Sequence, residues 1–131
     1  MIKGSPLQKS ALLLAAAPLL LAANGSMSVE AFLNKAEPLA KAGTWAVFKS
    51  DYRMLMAEMK AASQSYRAEL SAQAKAGQTP HSCPPDKVSM SSDEVIDLMR
   101  AVPVADRKTT SVKQAFANAM KKRFPCPAKK G

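Results

Sequence analysis

Apolar residues recur at helical spacing in four stretches of this chain, whereas the alternation typical of strands is not sustained anywhere. The first helix is capped by Ser28, is kinked or ended by Pro38, and has Gly43 as its stop. The second helix spans residues 50–76 and ends at Gly77. Their apolar stripes are Val29, Phe32, Leu33, Ala36 and Leu39 in the first helix, and Tyr52, Leu55, Met56, Met59, Ala62, Tyr66, Leu70 and Ala74 in the second.

A short apolar connector, residues 44–48, joins these two helices. We expect it to bring Trp45 and Phe48 toward the core, because aromatic side chains more often pack inside a protein than bind a ligand. Beyond the second helix, residues 78–87 contain Pro80, Pro84 and Pro85, which remove backbone donors and fix the backbone. This stretch therefore separates an N-terminal half from a C-terminal half.

Two further helices are indicated in the C-terminal half by their capping residues. Ser91 and Glu94 have capping-box spacing, and Met90 and Val95 are placed as a hydrophobic staple across the same helix end. Pro103 stops this third helix and a loop follows through Thr109. Ser111 and Gln114 repeat the capping-box signal before the fourth helix, which ends ahead of Pro125. The two apolar faces are Val95, Ile96, Leu98, Met99 and Val102, and then Val112, Ala115, Phe116, Ala119, Met120 and Phe124.

These elements predict an all-α protein, a small four-helix domain with one disulfide closing the C-terminal helical hairpin. The single domain covers residues 26–131, with N-terminal helices in 28–76, a proline-rich connector in 77–90 and the hairpin in 91–127. The last two helices should pack antiparallel, so that the cysteines at their outer ends, Cys83 and Cys126, meet on one side. With two cysteines one intramolecular pairing is possible, and the alternatives are an intermolecular disulfide or a free thiol.

Residues 1–25 have the pattern of a secretory signal peptide. Lys3 and Lys9 give the positive region, residues 11–22 give an apolar run, and small residues follow, so cleavage is expected after Ala23 or Gly25. The alternative is an uncleaved membrane helix, but the run is short of the roughly 20 residues that span a bilayer, and Pro18 interrupts it. With no cysteine at the cleavage region for lipid attachment, the expected mature protein is periplasmic or secreted and has no stable membrane anchor.

The net charge of the expected mature protein limits the kinds of partner that it would bind. Removing Lys3 and Lys9 from the 19 basic residues leaves 17 against 10 acidic ones, a net charge of +7. Such a protein favours anionic surfaces or an acidic protein partner, and export argues against nucleic acid. The cluster Lys121, Lys122 and Arg123 has an ordinary explanation, because cations stabilise a helix C-terminus.

Possible chemical sites are few. Met54, Met56 and Met59 resemble the spacing of exported copper binders, but on an intact helix Met54 points away from the other two, so core filling is expected. His81 and Cys83 would form a thiolate-imidazole pair only without the disulfide. Further carboxylates are explained as helix N-terminal charges, for Asp93 and Glu94, or as solvated positions, for Glu58 and Glu69. We therefore expect neither an enzyme nor a bound metal or cofactor.

The C-terminal half has the order Cys83-Pro84, a capped helix in 91–102, Pro103, a second helix, and Phe124-Pro125-Cys126. In this order it resembles the Rap/Tai immunity family. The resemblance covers residues 83–126 and implies a periplasmic helical inhibitor, often a dimer, that binds a peptidoglycan-cleaving amidase delivered by type VI secretion. From the family we carry over Cys83 and Cys126 as the structural disulfide, while the partner-binding residues stay open.

A second interpretation is a periplasmic stress chaperone, or a general envelope interaction protein, similar to small acid chaperones that are also helical and tied by one disulfide. Methionine-rich, adaptable apolar surfaces suit varied clients. An acid-triggered chaperone, however, would be expected to carry more carboxylates than the ten found here. An immunity-type binder is therefore the first hypothesis and a chaperone the second.

Overall fold

The computed structural model describes residues 26–128 of the chain, so the predicted signal peptide, residues 1–25, lies outside the described residues. The described part confirms the all-α prediction. It contains no strand, only an isolated antiparallel bridge between Ser28 and Ser111. The four α-helices are α1 (Val29–Ala42), α2 (Ser50–Lys75), α3 (Ser92–Arg100) and α4 (Val112–Arg123), with 3₁₀ helices at Gly43–Phe48 and Val104–Asp106.

Helix α1 begins as predicted, since the Ser28 hydroxyl accepts a hydrogen bond from the Ala31 N–H at 3.1 Å. All five of its predicted core residues are buried. Pro38 was predicted to kink or end this helix. The helix does not end there, because it continues to Ala42. Pro38 lies on the exposed side while Leu39 is buried, so packing of the last turn offsets the lost backbone bond. Gly43, at φ 62°, ends the helix.

The long helix α2 is the central element, and its bounds match the prediction to within a residue. Its core contacts come from Leu55, Ala62 and Tyr66, which are buried. The most extensive packing in the fold is between α2 and α4, where the rings of Tyr66 and Phe116 meet edge to face at 5.8 Å. Helices α3 and α4 are in contact as predicted, but the apolar pattern did not indicate that α4 would lie mainly on α2.

The disulfide joins Cys83 and Cys126, whose Cα atoms are 4.8 Å apart, as predicted. Beside it, the Cys83 backbone N–H donates to the Phe124 carbonyl oxygen at 2.8 Å. The covalent ring contains both α3 and α4. The disulfide therefore fixes the end of the proline-rich connector to the end of α4.

The segment before α1 is held in place by Glu58 of α2. The Glu58 carboxylate accepts hydrogen bonds from the Met27 N–H at 2.8 Å and from the Ser26 hydroxyl. That hydroxyl also accepts from the backbone N–H of Lys113 in α4 at 3.2 Å. The expectation that Glu58 is a solvated position is therefore wrong, because a half-buried carboxylate here satisfies the backbone of an irregular segment.

The capping box predicted for α3 is fully formed. The Ser91 hydroxyl accepts from the Glu94 N–H at 3.2 Å, and the Ser91 N–H donates to Glu94 Oε2 at 2.7 Å. This backbone hydrogen bond, followed by that of the Ser91 side chain, lowers the pKa of Glu94 from its ordinary value of 4.5. At α4 the predicted capping box is only half formed in the described residues, because the Ser111 hydroxyl accepts from the Gln114 N–H at 3.0 Å without the reciprocal bond from the Gln114 side chain.

We expect E94Q to make the stability of the protein less dependent on pH in acid. Because the folded-state pKa of Glu94 is lowered, its stabilising contribution is complete above the unfolded value of 4.5 and is lost as the pH falls through the folded value. Urea unfolding between about pH 7 and pH 3 measures this. D93N is the matched control, since both cap bonds remain in place. Identical pH profiles for E94Q and the unmodified protein would contradict the assignment.

Candidate interaction surface

The 3₁₀ helix Gly43–Phe48, called the aromatic turn below, exposes its aromatic side chains. Trp45 is 72% and Phe48 is 77% exposed, so the prediction that both approach the core is wrong. In a 3₁₀ helix side chains three residues apart are eclipsed, which places Trp45 and Phe48 on the same side, with ring centroids 6.0 Å apart. Ala46 is the buried residue of the turn. The aromatic rings therefore face outward as a pair.

An open, mainly apolar groove of about 1480 Å³ lies beside this turn. It is bordered by α1 and the turn, by α2, and by the segment that leads from the connector into α3. Its floor reaches core residues of several helices. Representative lining residues are Phe32, Leu39, Val47, Tyr52, Met56, Met59, Val88, Val95 and Ile96.

The methionines of α2 divide between the groove and the opposite surface. Met56 lines the groove and is 54% exposed, whereas Met54 is 46% exposed and is not part of the groove lining. Met59 is half-buried against the core. The core-filling prediction is therefore confirmed for Met59 and wrong for Met54 and Met56. The helical geometry that separates Met54 from Met56 is as expected.

Charges of both signs border the groove. The basic residues are Lys60 and Arg67 of α2 and Lys87 of the connector. The acidic residues are Asp86 and Asp93. The Arg67 guanidinium donates to the Pro85 carbonyl oxygen at 2.8 Å, which fixes the connector against α2. The groove thus combines an apolar floor with a mixed polar edge, as in protein-protein interfaces.

His81 belongs to a largely buried polar cluster formed between the connector and α2. Its Nδ1 lies 2.8 Å from the hydroxyl of Ser82, which also shares a hydrogen bond with the Tyr66 hydroxyl. Its Nε2 lies 3.3 Å from Glu69 Oε2, at ion-pair distance but outside hydrogen-bonding alignment. Glu69, expected to be solvated, is half-exposed and faces this ring. Sequence reasoning missed Ser82, because a single small polar residue in a loop forms no pattern.

Glu69, His81 and Ser82 are arranged like the acid, base and nucleophile of a charge relay. The Ser82 hydroxyl, however, is not placed to attack a substrate. Ser82 is 1% exposed, and its hydroxyl is engaged by both Tyr66 and His81. Cys83 is in the disulfide, so the alternative of a thiolate beside His81 does not arise in this state. The cluster instead joins the connector to α2 through the hydrogen bond between Ser82 and Tyr66.

No set of three or more His, Cys, Asp or Glu side chains is positioned to hold a metal ion within residues 26–128. Over the same residues, every helix is too short or too polar to cross a bilayer. No family model matches this chain, and neither a curated protein nor a solved structure matches it. The fold and the surface define a disulfide-stabilised helical domain with an open apolar groove.

Proposed function

We propose that this protein is an exported, non-enzymatic binding protein that inhibits a peptidoglycan amidase, in the manner of immunity proteins for type VI secretion effectors. The observation that carries the proposal is the apolar groove with Met56 and Val47 at its exposed edge. Soluble monomers rarely leave a large contiguous apolar surface uncovered unless it binds something. The bound element is a segment of the amidase that lays an apolar face into the groove.

The disulfide supports an oxidising compartment. Cys83 is exposed, so cellular reductants would reach the bond in a reducing cytosol. Together with the signal-peptide pattern of residues 1–25, this favours export to the periplasm or beyond. Peptidoglycan amidases act in that compartment, and an inhibitor must fold and persist there.

The surroundings of the groove favour a binder over a catalyst. The groove presents methionine and aliphatic side chains, which adapt to a partner surface, and its charged residues stand at the edge. The polar cluster around His81 is a separate feature, and its Ser82 hydroxyl is buried. Binding energy is therefore expected to come from apolar burial at the groove.

We expect M56E to abolish inhibition of the cognate amidase, while M54E leaves it intact. Both side chains are about half-exposed on α2, so neither change should affect folding strongly, but only Met56 lines the groove. A charge placed inside an apolar interface is expected to weaken binding by about a hundredfold or more. Measurement uses a panel of purified type VI peptidoglycan amidases, followed by cell survival when the inhibited amidase is directed to the periplasm.

The alternative, a stress chaperone, is favoured by the same exposed methionines and predicts a different result. A chaperone would suppress aggregation of several unrelated unfolded proteins and inhibit no amidase. Absence of inhibition across the panel, with such suppression, would overturn the immunity proposal. If M56E and M54E lost inhibition equally, the groove would not be the site that binds the amidase. Sedimentation of the protein alone tests the homodimer that the family resemblance implies.

A further inference from the structure

We propose that the aromatic turn, Gly43–Phe48, docks this protein on an anionic phospholipid surface. This inference goes beyond the protein partner proposed above and uses two side chains of the turn that do not line the groove, Trp45 and Phe48. The groove takes a protein segment, whereas the turn inserts Trp45 and Phe48 into the headgroup region of a bilayer. The domain then lies on the membrane surface without spanning it.

The aromatic pair is available for such a contact. Trp45 and Phe48 are the most exposed aromatic residues that the structure describes, and neither lines the groove. They stand at the corner where α1 gives way to α2, in a turn whose Ala46 anchors it to the core. An outward pair of rings on a short, anchored turn can enter a lipid surface without any rearrangement of the fold.

The charges around the turn select an anionic surface. Lys41, Lys49 and Arg53 flank it, are exposed, and have no ion pair within residues 26–128. The acidic residue of this stretch, Asp51, is paired with Lys35 at 3.4 Å. The neighbourhood of the turn is therefore positive, and the net charge of the chain is +9, or +7 once Lys3 and Lys9 are removed with the leader.

Aromatic side chains beside free cations match the chemistry of the bilayer interface. Tryptophan and phenylalanine settle at the headgroup level, and each nearby lysine or arginine adds attraction to anionic lipids. A protein partner would need acidic groups facing three cations on a protruding corner. A second copy of this chain would place the same positive charges against each other, which disfavours self-association through the turn.

The test exploits Trp45, which is the one tryptophan of the chain. The protein is purified in its processed form after export, with its N-terminus determined by mass spectrometry, so that the apolar leader does not contribute. Its fluorescence is followed with vesicles of equal parts phosphatidylglycerol and phosphatidylcholine, and with pure phosphatidylcholine. We expect a blue shift, and quenching by brominated acyl chains, with the anionic vesicles alone. Vesicle sedimentation gives the partition coefficient.

Variants that keep Trp45 separate the apolar and electrostatic parts. We expect F48S to weaken partitioning at least about tenfold, because a phenylalanine side chain no longer leaves water. K49S/R53S should weaken it by roughly thirtyfold, about fivefold for each cation removed. K121S/K122S, which removes the same charge at the end of α4, is the matched control and should change partitioning much less. About 1 M salt should reverse binding of all of them.

Several results would overturn the proposal. An unchanged Trp45 emission with anionic vesicles would mean that the turn does not enter lipid. Equal weakening by K121S/K122S and K49S/R53S would indicate attraction by total charge, without docking through the turn. A blue shift that rises with protein concentration in the absence of vesicles would show that a second copy covers the turn. Amidase inhibition by F48S is expected to be intact, so lipid docking and the proposed function fail independently.

Discussion

Replacing both Cys83 and Cys126 by serine is expected to lower the free energy of unfolding by about 4 kcal/mol. The cross-link closes a ring with a sequence separation of 43, and its loss restores that chain entropy to the unfolded state. For a domain of this size the melting temperature should fall by roughly 15–30 °C. This loss is comparable to the total stability of many small domains, about 5–15 kcal/mol.

Loss of the cross-link should destabilise α3 and the connector most, because α3 and the C-terminal part of the connector lie within the ring that it closes. Helix α3 has only nine residues and buries Ile96 and Met99, so little packing holds it without the cross-link. The connector before it has no regular structure and is tied to α4 by the disulfide and by the Cys83–Phe124 backbone bond. We therefore expect α3 and the connector to lose protection from hydrogen exchange before α2 and α4 do.

Calorimetry or urea unfolding of C83S/C126S measures the effect. The control is the unmodified protein after reduction, which should melt at the same temperature as the double variant, because both lack the cross-link. A melting temperature for C83S/C126S within a few degrees of the oxidised protein would show that the disulfide does not stabilise the fold.

The second large effect is expected for Y66A, with a loss of about 3–5 kcal/mol in the free energy of unfolding. Tyr66 is 1% exposed at the centre of α2. Its ring packs edge to face on Phe116 and lies 5.3 Å from the ring of His81. Truncation would leave a cavity between α2 and α4, the most extensive helix contact of the fold, and would remove a partner of the buried Ser82 hydroxyl.

Two further variants separate packing from hydrogen bonding at this site. Y66F keeps the ring and removes the hydroxyl, so we expect a loss of only about 1–2 kcal/mol. Y52A on the same helix removes a tyrosine that is half-buried at the groove, and should cost less than Y66A. Urea unfolding compares the three. If Y66A and Y52A were equally destabilising, Tyr66 would not be the packing centre that its burial indicates.

Local patterns predicted the helices well, because their signals are carried within a few residues. The Ser91 and Glu94 capping box, the Ser28 cap, and the positive-φ stops at Gly43 and Gly77 depend on neighbouring backbone groups and need no tertiary partner. The pairing of Cys83 with Cys126 could be predicted because the chain has only two cysteines, placed at the outer ends of adjacent helices. The proposed export and partner, by contrast, still depend on the leader pattern and the family resemblance.

The candidate site was largely hidden from sequence reasoning. Trp45 and Phe48 were expected inside because they are aromatic, and the eclipsing of a 3₁₀ turn placed them both outside. Met56 was expected to be a core residue because it belongs to the helical stripe, yet no element within residues 26–128 covers that part of the stripe, and Met56 lines the groove. An apolar side chain is buried only where another element of the fold packs against it.

The four helices, their caps and stops, and the single possible intramolecular disulfide could all be predicted from the order of amino acids, since each depends on local geometry or on counting. Three features became known only from the three-dimensional packing: α4 lies on α2, Ser82 and Glu58 form hydrogen bonds with distant segments, and an apolar groove lies open beside an exposed aromatic turn within residues 26–128. These features depend on which surfaces meet across long sequence separations, and hydrophobic attraction is not directional enough to specify that from one-dimensional patterns.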